Sequence, residues 1–368
     1  MRTWDFVLLL VLLYSFSAVS LQDNWISFRG NQSLNGVSNA KIANSYKLIS
    51  TYKTTDKIKS SPILFNDTIF IGSNDGFMYC ISKAGKLIWK FNATTSIEAA
   101  PLLLDNSIFV GSLEGNFYAL NAKTGKLRWK YKTEGQISGA ANWFYDAKSK
   151  QKHLIVGSYD YNLHCLDANS AKSLWKFETV NYINGSAAIY GNLAIFGGCD
   201  GFLRAVNIQS GKESFKLDIQ NYIAGSVAID SNKAFFSNYD GEVFCVDLKA
   251  KKQLWKFTGG GTITSSPAVF GNYVIVTSFN KKVYCLNRKT GEQIWNFPTL
   301  QKMEASPVIA DNKVIIASTD GRLYILDLKS GKKIWSYEIG SPIFTTPAVS
   351  SNLIVVGADD GKVYIFGK

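Results

Sequence analysis

A segment of about forty residues occurs eight times in this chain. Each copy opens with two small or polar residues followed by Pro, Ala or Ser, and an apolar stretch comes next. The copies begin at Ser60, Ala99, Ser138, Asn184, Ala224, Ser265, Ala305 and Thr345, which gives spacings of 39, 39, 46, 40, 41, 40 and 40 residues. A constant period in this range is typical of a solenoid, a propeller or a repeat array.

One copy contains four short β-like runs. In the second copy they cover residues 97–104, 108–112, 117–120 and 127–131, and turns rich in Asp, Asn and Gly separate them. Short β-branched and aromatic runs between such turns predict antiparallel strands joined by hairpins. The Gly-His and Trp-Asp signatures of WD40 repeats, which have a similar period, are absent. The pattern therefore predicts an all-β, eight-bladed β-propeller of four-stranded antiparallel blades.

The two ends of the repeat array predict how the ring closes. The last copy stops at Phe366 after three strands, whereas residues 44–54 match a fourth strand with Ser50 where other copies have Trp. We expect the N-terminal strand to join the C-terminal blade, which removes two open sheet edges. The predicted organisation is a signal peptide at 1–20, an N-terminal strap at 21–43 and the propeller at 44–368.

The first twenty residues have the features of a secretory signal. Arg2 is followed by an apolar run, and small residues precede a predicted cleavage site near Ser20. We expect an exported protein, periplasmic or secreted, without a cysteine at the cleavage site for lipid attachment. Removing this segment takes away one Arg and one Asp, so the formal net charge stays at +12.

The cysteines are expected to be free thiols. Four of the five occupy the same position in different copies, where other copies have Ala or Ile; they are Cys80, Cys165, Cys245 and Cys285. Equivalent positions in different blades lie too far apart for a disulfide. Cys199 is the exception and is expected to be the most exposed.

The third strand, the turn and the fourth strand carry a recognisable motif. Residues 119–129 (ALNAKTGKLRW) resemble the tryptophan-docking motif of the pyrroloquinoline-quinone (PQQ) repeat family, and 285–295 and 325–335 repeat it closely. The resemblance covers essentially the whole mature chain and implies that a fourth-strand Trp locks each blade to its neighbour. The predicted docking residues are Trp89, Trp129, Trp175, Trp255, Trp295 and Trp335. Burial of a large aromatic side chain supports this structural role independently.

The family resemblance also raises an enzymatic alternative. Quinoprotein alcohol dehydrogenases of this family bind PQQ and Ca²⁺ on the propeller axis with an Asp base, a Glu/Asn calcium pair and often adjacent cysteines. This chain has no Cys-Cys pair, and no carboxylate–amide set matches theirs. We therefore expect no catalytic residues, no metal site and no cofactor. The alternative is a minimal PQQ-dependent alcohol dehydrogenase-like oxidoreductase with PQQ and calcium.

The chain is also similar to BamB-like proteins of outer-membrane β-barrel assembly. That resemblance implies a non-enzymatic, monomeric scaffold that binds a protein partner. The candidate partner is an outer-membrane assembly component. Nothing in the sequence predicts nucleic-acid binding. Lysine-rich turns on one face suggest a peripheral contact with an anionic membrane as a further expectation.

One face of the predicted propeller carries both a ring of acidic turns and a set of variable residues. The ring residues usually precede Gly, which favours turn chemistry over a cation site because calcium needs converging oxygens. They are Asp75, Glu114, Asp160, Asp200, Asp240, Asn280, Asp320 and Asp360. The predicted partner-binding rim consists of Tyr159, Tyr182, Tyr222, Tyr239, Phe279, Glu98 and Glu304. Aromatic residues at a rigid rim are typical partner anchors, but they can equally cover neighbouring loops. Sugar or small-ligand binding at the same rim stays open.

Overall fold

The computed structural model describes residues 24–368, which form 33 β-strands without a helix. The predicted signal peptide lies outside the described residues. The strands form eight antiparallel sheets, one for each repeat copy, arranged as the blades of a propeller. The predicted fold class is confirmed.

The strands follow the repeat in order. Two precede the first full copy: β1 (Val37–Ser38) and β2 (Lys47–Lys53). Blade 1 has β3 (Ile63–Phe65), β4 (Thr68–Gly72), β5 (Phe77–Ser82) and β6 (Leu87–Asn92). Blade 2 has β7 (Leu102–Leu104), β8 (Ser107–Gly111), β9 (Asn116–Asn121) and β10 (Leu127–Lys132). Blade 3 has β11 (Asn142–Asp146), β12 (Gln151–Gly157), β13 (Asn162–Asp167) and β14 (Ser173–Glu178). Blade 4 has β15 (Ala188–Tyr190), β16 (Leu193–Gly197), β17 (Phe202–Asn207) and β18 (Glu213–Asp218).

The second half repeats this plan. Blade 5 has β19 (Ala228–Asp230), β20 (Lys233–Ser237), β21 (Glu242–Asp247) and β22 (Lys252–Thr258). Blade 6 has β23 (Ala268–Phe270), β24 (Tyr273–Ser278), β25 (Lys282–Asn287) and β26 (Gln293–Pro298). Blade 7 has β27 (Val308–Ala310), β28 (Lys313–Ala317), β29 (Arg322–Asp327) and β30 (Lys333–Glu338). Blade 8 has β31 (Ala348–Val349), β32 (Leu353–Gly357) and β33 (Lys362–Gly367), completed by β2.

Burial explains the order of the strands within a blade. The first three strands are short apolar runs buried on both faces, because neighbouring blades cover them. The fourth strand is the outer edge, and its alternating polar residues face solvent, as in β10. A glycine ends the second strand where the next blade packs closest: a Cβ on Gly111 would lie 2.1 Å from Cγ2 of Ile137.

The ring closes as the sequence predicts. Strand β2 pairs with β33 in antiparallel register, with Ser50 opposite Ile365. That pairing is equivalent to Trp129 opposite Ala119 within blade 2. The N-terminal strand therefore completes blade 8 in the same register as an ordinary fourth strand.

Within the predicted N-terminal strap (21–43), residues 24–40 cross the propeller axis and contact the inner strand of every blade; from here on, the strap means residues 24–40. It begins as an antiparallel bridge between Trp25 and Leu64 and ends as β1, parallel to β27. Between them, strap carbonyls accept hydrogen bonds from the backbone N–H groups of Leu103, Ile189, Ile229, Val269 and Ile309. The Gln32 side chain donates to the Trp143 carbonyl, and the Ser38 hydroxyl donates to the Val349 carbonyl.

Arg29 fixes the strap at the axis. Its guanidinium is fully buried and donates to the carbonyls of Pro307 at 2.6 Å and Pro267 at 2.7 Å. Burial without a carboxylate partner lowers the pKa of Arg29 to about 9. The strap thus closes one end of the central channel with a buried cation held by two blades.

Candidate functional site

The loops that enter the first strands and the turns between the second and third strands form one face, here called the upper face. In seven blades a turn N–H donates to the entrance carbonyl, and in blade 7 the Thr319 hydroxyl does so. These pairs are Asn74–Lys57, Leu113–Ser96, Tyr159–Gln136, Cys199–Tyr182, Tyr239–Tyr222, Phe279–Thr262, Thr319–Lys302 and Asp359–Pro342. The structure therefore places the predicted aromatic rim residues on one rigid surface.

The acidic turn ring mainly has a structural function. One carboxylate oxygen accepts the backbone N–H two residues later, and the other accepts a donor four residues later on the third strand. The donors include Tyr79 to Asp75, Tyr324 to Asp320 and Tyr364 to Asp360, at 2.7–2.8 Å. These bonds turn the carboxylates towards their own blades, as expected for turn chemistry. No group of three metal-ligating side chains is found within residues 24–368.

Blades 3 and 4 have a basic side chain in place of the tyrosine donor. His164 is fully buried, and its Nε2 lies 3.0 Å from Oδ2 of Asp160, while Nδ1 contacts the hydroxyl of Tyr131. In blade 4, Arg204 pairs with Asp200 at 2.7 Å. Burial, which raises the pKa of Asp160, is outweighed by the hydrogen bond and charge of His164, so that this pKa falls to about 2. The histidine thus has a structural partner on each side.

Blade 5 breaks the pattern and leaves one turn carboxylate free. The residue four positions after Asp240 is Phe244, which has no donor, and Asn238 takes over the turn contacts with Glu242. Within the described residues, Asp240 has no side-chain hydrogen bond or ion pair, and it is exposed. This carboxylate lies beside Tyr239 on the upper face.

The predicted rim tyrosines form two groups, whose members are exposed except for the half-buried Tyr159. Tyr182 stacks on Tyr159 with ring centroids 4.7 Å apart, and Tyr222 meets Tyr239 edge-on at 6.5 Å. Tyr222 is 51% exposed and Tyr239 is 48% exposed. Each of these two side chains therefore exposes part of its apolar ring to solvent.

Tyr161 is a rim residue that the sequence prediction missed. It follows Asp160 at a position where six other blades have Gly, and it adopts the same left-handed backbone: φ is 70° for Tyr161 and 76–85° for those glycines. Its exposed ring contacts Tyr182 at a centroid distance of 5.3 Å. A bulky residue in this conformation is strained, and such strain clusters at functional sites. The signal in the sequence was the Asp-Tyr step in a ring of Asp-Gly steps.

The other three predicted rim residues have side-chain partners of their own. Phe279 is covered by the ammonium of Lys302, whose nitrogen is 4.9 Å from the ring centroid and 2.6 Å from Glu304. Glu98 pairs with Lys59 at 3.3 Å and accepts a hydrogen bond from Asn74 at 2.9 Å. Both glutamates line the mouth of the central channel and are already partnered.

The recurring tryptophans connect adjacent blades. In five of the six, the indole Nε1 donates at 2.9–3.1 Å to a backbone carbonyl in the turn of the next blade. The acceptors are Ala122, Ala168, Ile208, Arg288 and Leu328. Trp335 instead packs edge-on against Phe366 and Tyr46. The last copy lacks the turn that would follow its third strand, because β2 from the N-terminus supplies the fourth strand of blade 8.

Glycine in the docking turn allows the indole to approach. A Cβ on Gly331, where φ is +69°, would lie 2.6 Å from Cδ2 of Trp295. The same arrangement occurs where the ring closes, between β2 of blade 8 and the last turn of blade 1. Gly85 lies against Ser50, and the Ser50 hydroxyl donates to the Lys83 carbonyl at 2.7 Å. A hydroxyl at this position thus makes the hydrogen bond that an indole makes elsewhere.

The comparisons with known proteins agree with this geometry. A family model described as outer membrane protein assembly factor BamB matches residues 47–142, 83–296 and 250–367. The chain belongs to this BamB-like PQQ-repeat family. No curated protein matches it.

Solved structures with the same fold include both BamB and quinoprotein enzymes. BamB from Moraxella catarrhalis has a TM-score of 0.75 at 19% identity, covering 88% of this chain and 100% of that one. A europium-containing methanol dehydrogenase has a TM-score of 0.82 at 12% identity, covering 94% and 98%. Quinohemoprotein alcohol dehydrogenase from Comamonas testosteroni has 0.77 at 12%, covering 94% and 80%. These identities establish a shared fold only.

The channel of this BamB-like propeller is narrow, and its charged side chains are already paired. Above the strap it leaves a cavity of about 190 Å³, floored by Phe28 and lined mostly by small residues. Pockets for ligands of drug size occupy roughly 300–1,000 Å³. Its two carboxylates are paired with Lys59 and Lys302, and the Asn184 amide donates to Cys199 at 3.2 Å. Among the described residues that line this cavity, the carboxylates and the Asn184 amide thus already have partners within the chain.

The five cysteines are all free, and the four at the equivalent position are buried. Burial raises the pKa of Cys80 to about 12, so its thiol stays protonated at neutral pH. Cys199 is partly exposed and lies in the upper-face turn of blade 4. Over residues 24–368, the structure has no helix of the length and apolarity needed to cross a membrane.

Proposed function

We propose that this protein is an exported, non-enzymatic, monomeric scaffold that binds a protein partner through the upper face, in outer-membrane protein assembly as in the BamB branch of its family. The observation that carries the proposal is the set of exposed tyrosines on a face whose backbone is held rigid in every blade. Tyrosine anchors of this kind dominate many protein interfaces, since they bury large area with little loss of rotamer freedom.

The channel supports the same conclusion. The strap closes its lower end, and the carboxylates at its mouth are already paired. A scaffold needs no reactive group at the axis, whereas a quinoprotein enzyme needs a pocket and calcium ligands there. The lysine-rich turns on the opposite face would allow a peripheral contact with an anionic membrane while the upper face remains open.

The test compares capture of proteins from the native cell envelope. A variant with Tyr159, Tyr182, Tyr222, Tyr239 and Phe279 changed to Ser should lose the proteins that the wild type retains, with an unchanged circular dichroism spectrum. A control variant, Tyr145→Ser with Phe270→Ser, alters exposed aromatics on the opposite face and should retain them. Equal capture by all three would refute the proposal.

A separate measurement addresses enzymatic activity. Titration with PQQ and Ca²⁺ should give neither a stoichiometric complex nor dye-linked alcohol oxidation. A tight complex that oxidises alcohols would overturn the scaffold proposal in favour of a quinoprotein dehydrogenase.

A further inference from the structure

The upper face of blades 3–5 combines exposed tyrosines with unpaired carboxylates. The tyrosines are Tyr159, Tyr161, Tyr182, Tyr222 and Tyr239, here called the tyrosine patch, and all of them except the half-buried Tyr159 are exposed. The carboxylates are those of Glu134, Glu178 and Asp240, which are exposed and form no ion pair within residues 24–368. This local acidity is unusual in a protein with a formal net charge of +12.

Each carboxylate lies next to a tyrosine. Asp240 follows Tyr239 in the turn of blade 5. Glu178 lies opposite Asn162, the neighbour of Tyr161, in the pairing of β13 with β14. The backbone N–H of Glu134 donates to Asp160, the residue between Tyr159 and Tyr161. The backbone therefore places each of the three carboxylates beside a residue of the patch or its immediate neighbour in sequence.

A groove continues the patch into blade 4. It has a volume of about 470 Å³ and is lined by Tyr222, Phe202, Asp200 and Asp218 among others. Arg204 and Lys216 already lie over the ring of Phe202 at 5.0 Å and 4.8 Å from its centroid. These contacts illustrate a cation over an aromatic face with a carboxylate nearby, since Asp200 pairs with Arg204. The groups left open in the groove are the exposed Tyr222 ring and the carboxylate of Asp218, which forms no ion pair within residues 24–368.

We propose that the tyrosine patch binds an extended, arginine-bearing segment of the partner protein. This inference rests on the proposed function and adds the chemistry of the partner. A guanidinium stacks on a tyrosine face and donates two hydrogen bonds to a carboxylate at once, which suits a surface where exposed tyrosines and unpaired carboxylates are neighbours. Lysine can use the charge but not the stacking, so it binds more weakly.

The strained backbone of Tyr161 supports a binding function for the patch. At φ of 70°, glycine would be the comfortable residue, and six other blades have glycine at this turn position. Tyr161→Gly should therefore raise the melting temperature while it lowers affinity for the segment by about fivefold or more. A purely structural tyrosine would lose stability on replacement.

The experiment uses the full-length protein and three twelve-residue Gly-Ser peptides, each with four Arg, four Lys or four Glu residues. Fluorescence anisotropy at low salt should rank them Arg, then Lys, then Glu, although the net charge of +12 favours the acidic peptide. Tyr222→Ala should weaken Arg-peptide binding about tenfold, and Asp240→Asn about threefold to fivefold. The controls Tyr145→Ala and Glu292→Gln, away from the patch, should have no effect.

The outcomes separate this inference from the proposed function. Preference for the Glu peptide, or an unchanged affinity of Asp240→Asn for the Arg peptide, overturns the arginine inference while leaving partner capture by the rim intact. Loss of envelope capture without the arginine preference would show that the rim binds another kind of segment. Retained capture by the five-residue rim variant would refute the proposed function itself.

Discussion

The contact between the docking glycine and the preceding tryptophan allows the blade-to-blade lock to be tested quantitatively. The perturbation is Gly331→Ala. Two effects add: an L-residue at φ +69° costs about 1–2 kcal/mol, and the new methyl overlaps the Trp295 ring at 2.6 Å. Overpacking of this kind costs about 1–3 kcal/mol, so the free energy of unfolding should fall by about 2–5 kcal/mol.

A matched glycine isolates the ring contact. Gly260 has φ of +68°, and a Cβ there would meet nothing within 4 Å. Gly260→Ala should therefore cost only the backbone part, about 1–2 kcal/mol. Urea unfolding followed by circular dichroism gives both values on the same scale.

The double variant completes the test. Trp295→Ala alone should cost about 3–5 kcal/mol, since it empties a buried indole site and leaves the Leu328 carbonyl without its donor at 2.9 Å. In that background Gly331→Ala has no ring to overlap, so the two effects should be non-additive by about 1–3 kcal/mol. Equal costs for Gly331→Ala and Gly260→Ala, with no coupling to Trp295, would refute the docking account.

Three further results are expected. Ala171→Gly should stabilise the fold by about 0.5–1 kcal/mol in urea unfolding, because Ala171 occupies the docking-turn position at φ of 62°; a loss of stability would contradict this. The lowered pKa of Asp160 means that its contribution is present above about pH 4 and is lost as the pH falls towards 2. Asp160→Asn should therefore lower the free energy of unfolding by about 1–2 kcal/mol at pH 7, and this free energy should then fall less steeply as the pH drops from about 4 to about 2. A fall as steep as that of the wild type would count against the His164 pair. Deletion of residues 44–54 should expose the edge of β33 and produce oligomers in size-exclusion chromatography; a monomer with unchanged melting would disprove the closure.

The fold was predictable because the repeat fixes both the number of blades and the strand order. The same pattern located Ser50 at a tryptophan position, and the register of β2 with β33 confirms it. The course of the strap was not predictable, since residues 24–40 make isolated hydrogen bonds to eight different blades and have no periodic pattern of their own. The repeat pattern therefore predicts the structure of the blades but not the course of the strap.

The candidate site was predictable as a position but not as a set of interactions. The repeat register placed Tyr159, Tyr182, Tyr222 and Tyr239 on one face, because equivalent loops share a face. It did not show that Glu98 and Glu304 pair with lysines, which depends on side-chain reach between loops. Nor did it distinguish Asp240 from the other turn carboxylates, although its cause, a phenylalanine four residues later, is visible in the sequence.

The central claim is that the partner binds the tyrosine patch rather than the channel or the lower face. Site-specific photo-crosslinking in the native cells tests it directly, with the crosslinking residue placed at Tyr239 or, as the control, at Tyr145. Both positions are about half exposed, at 48% and 55%. The account predicts a discrete protein adduct from position 239 and none from position 145. An adduct from position 145 alone would contradict it.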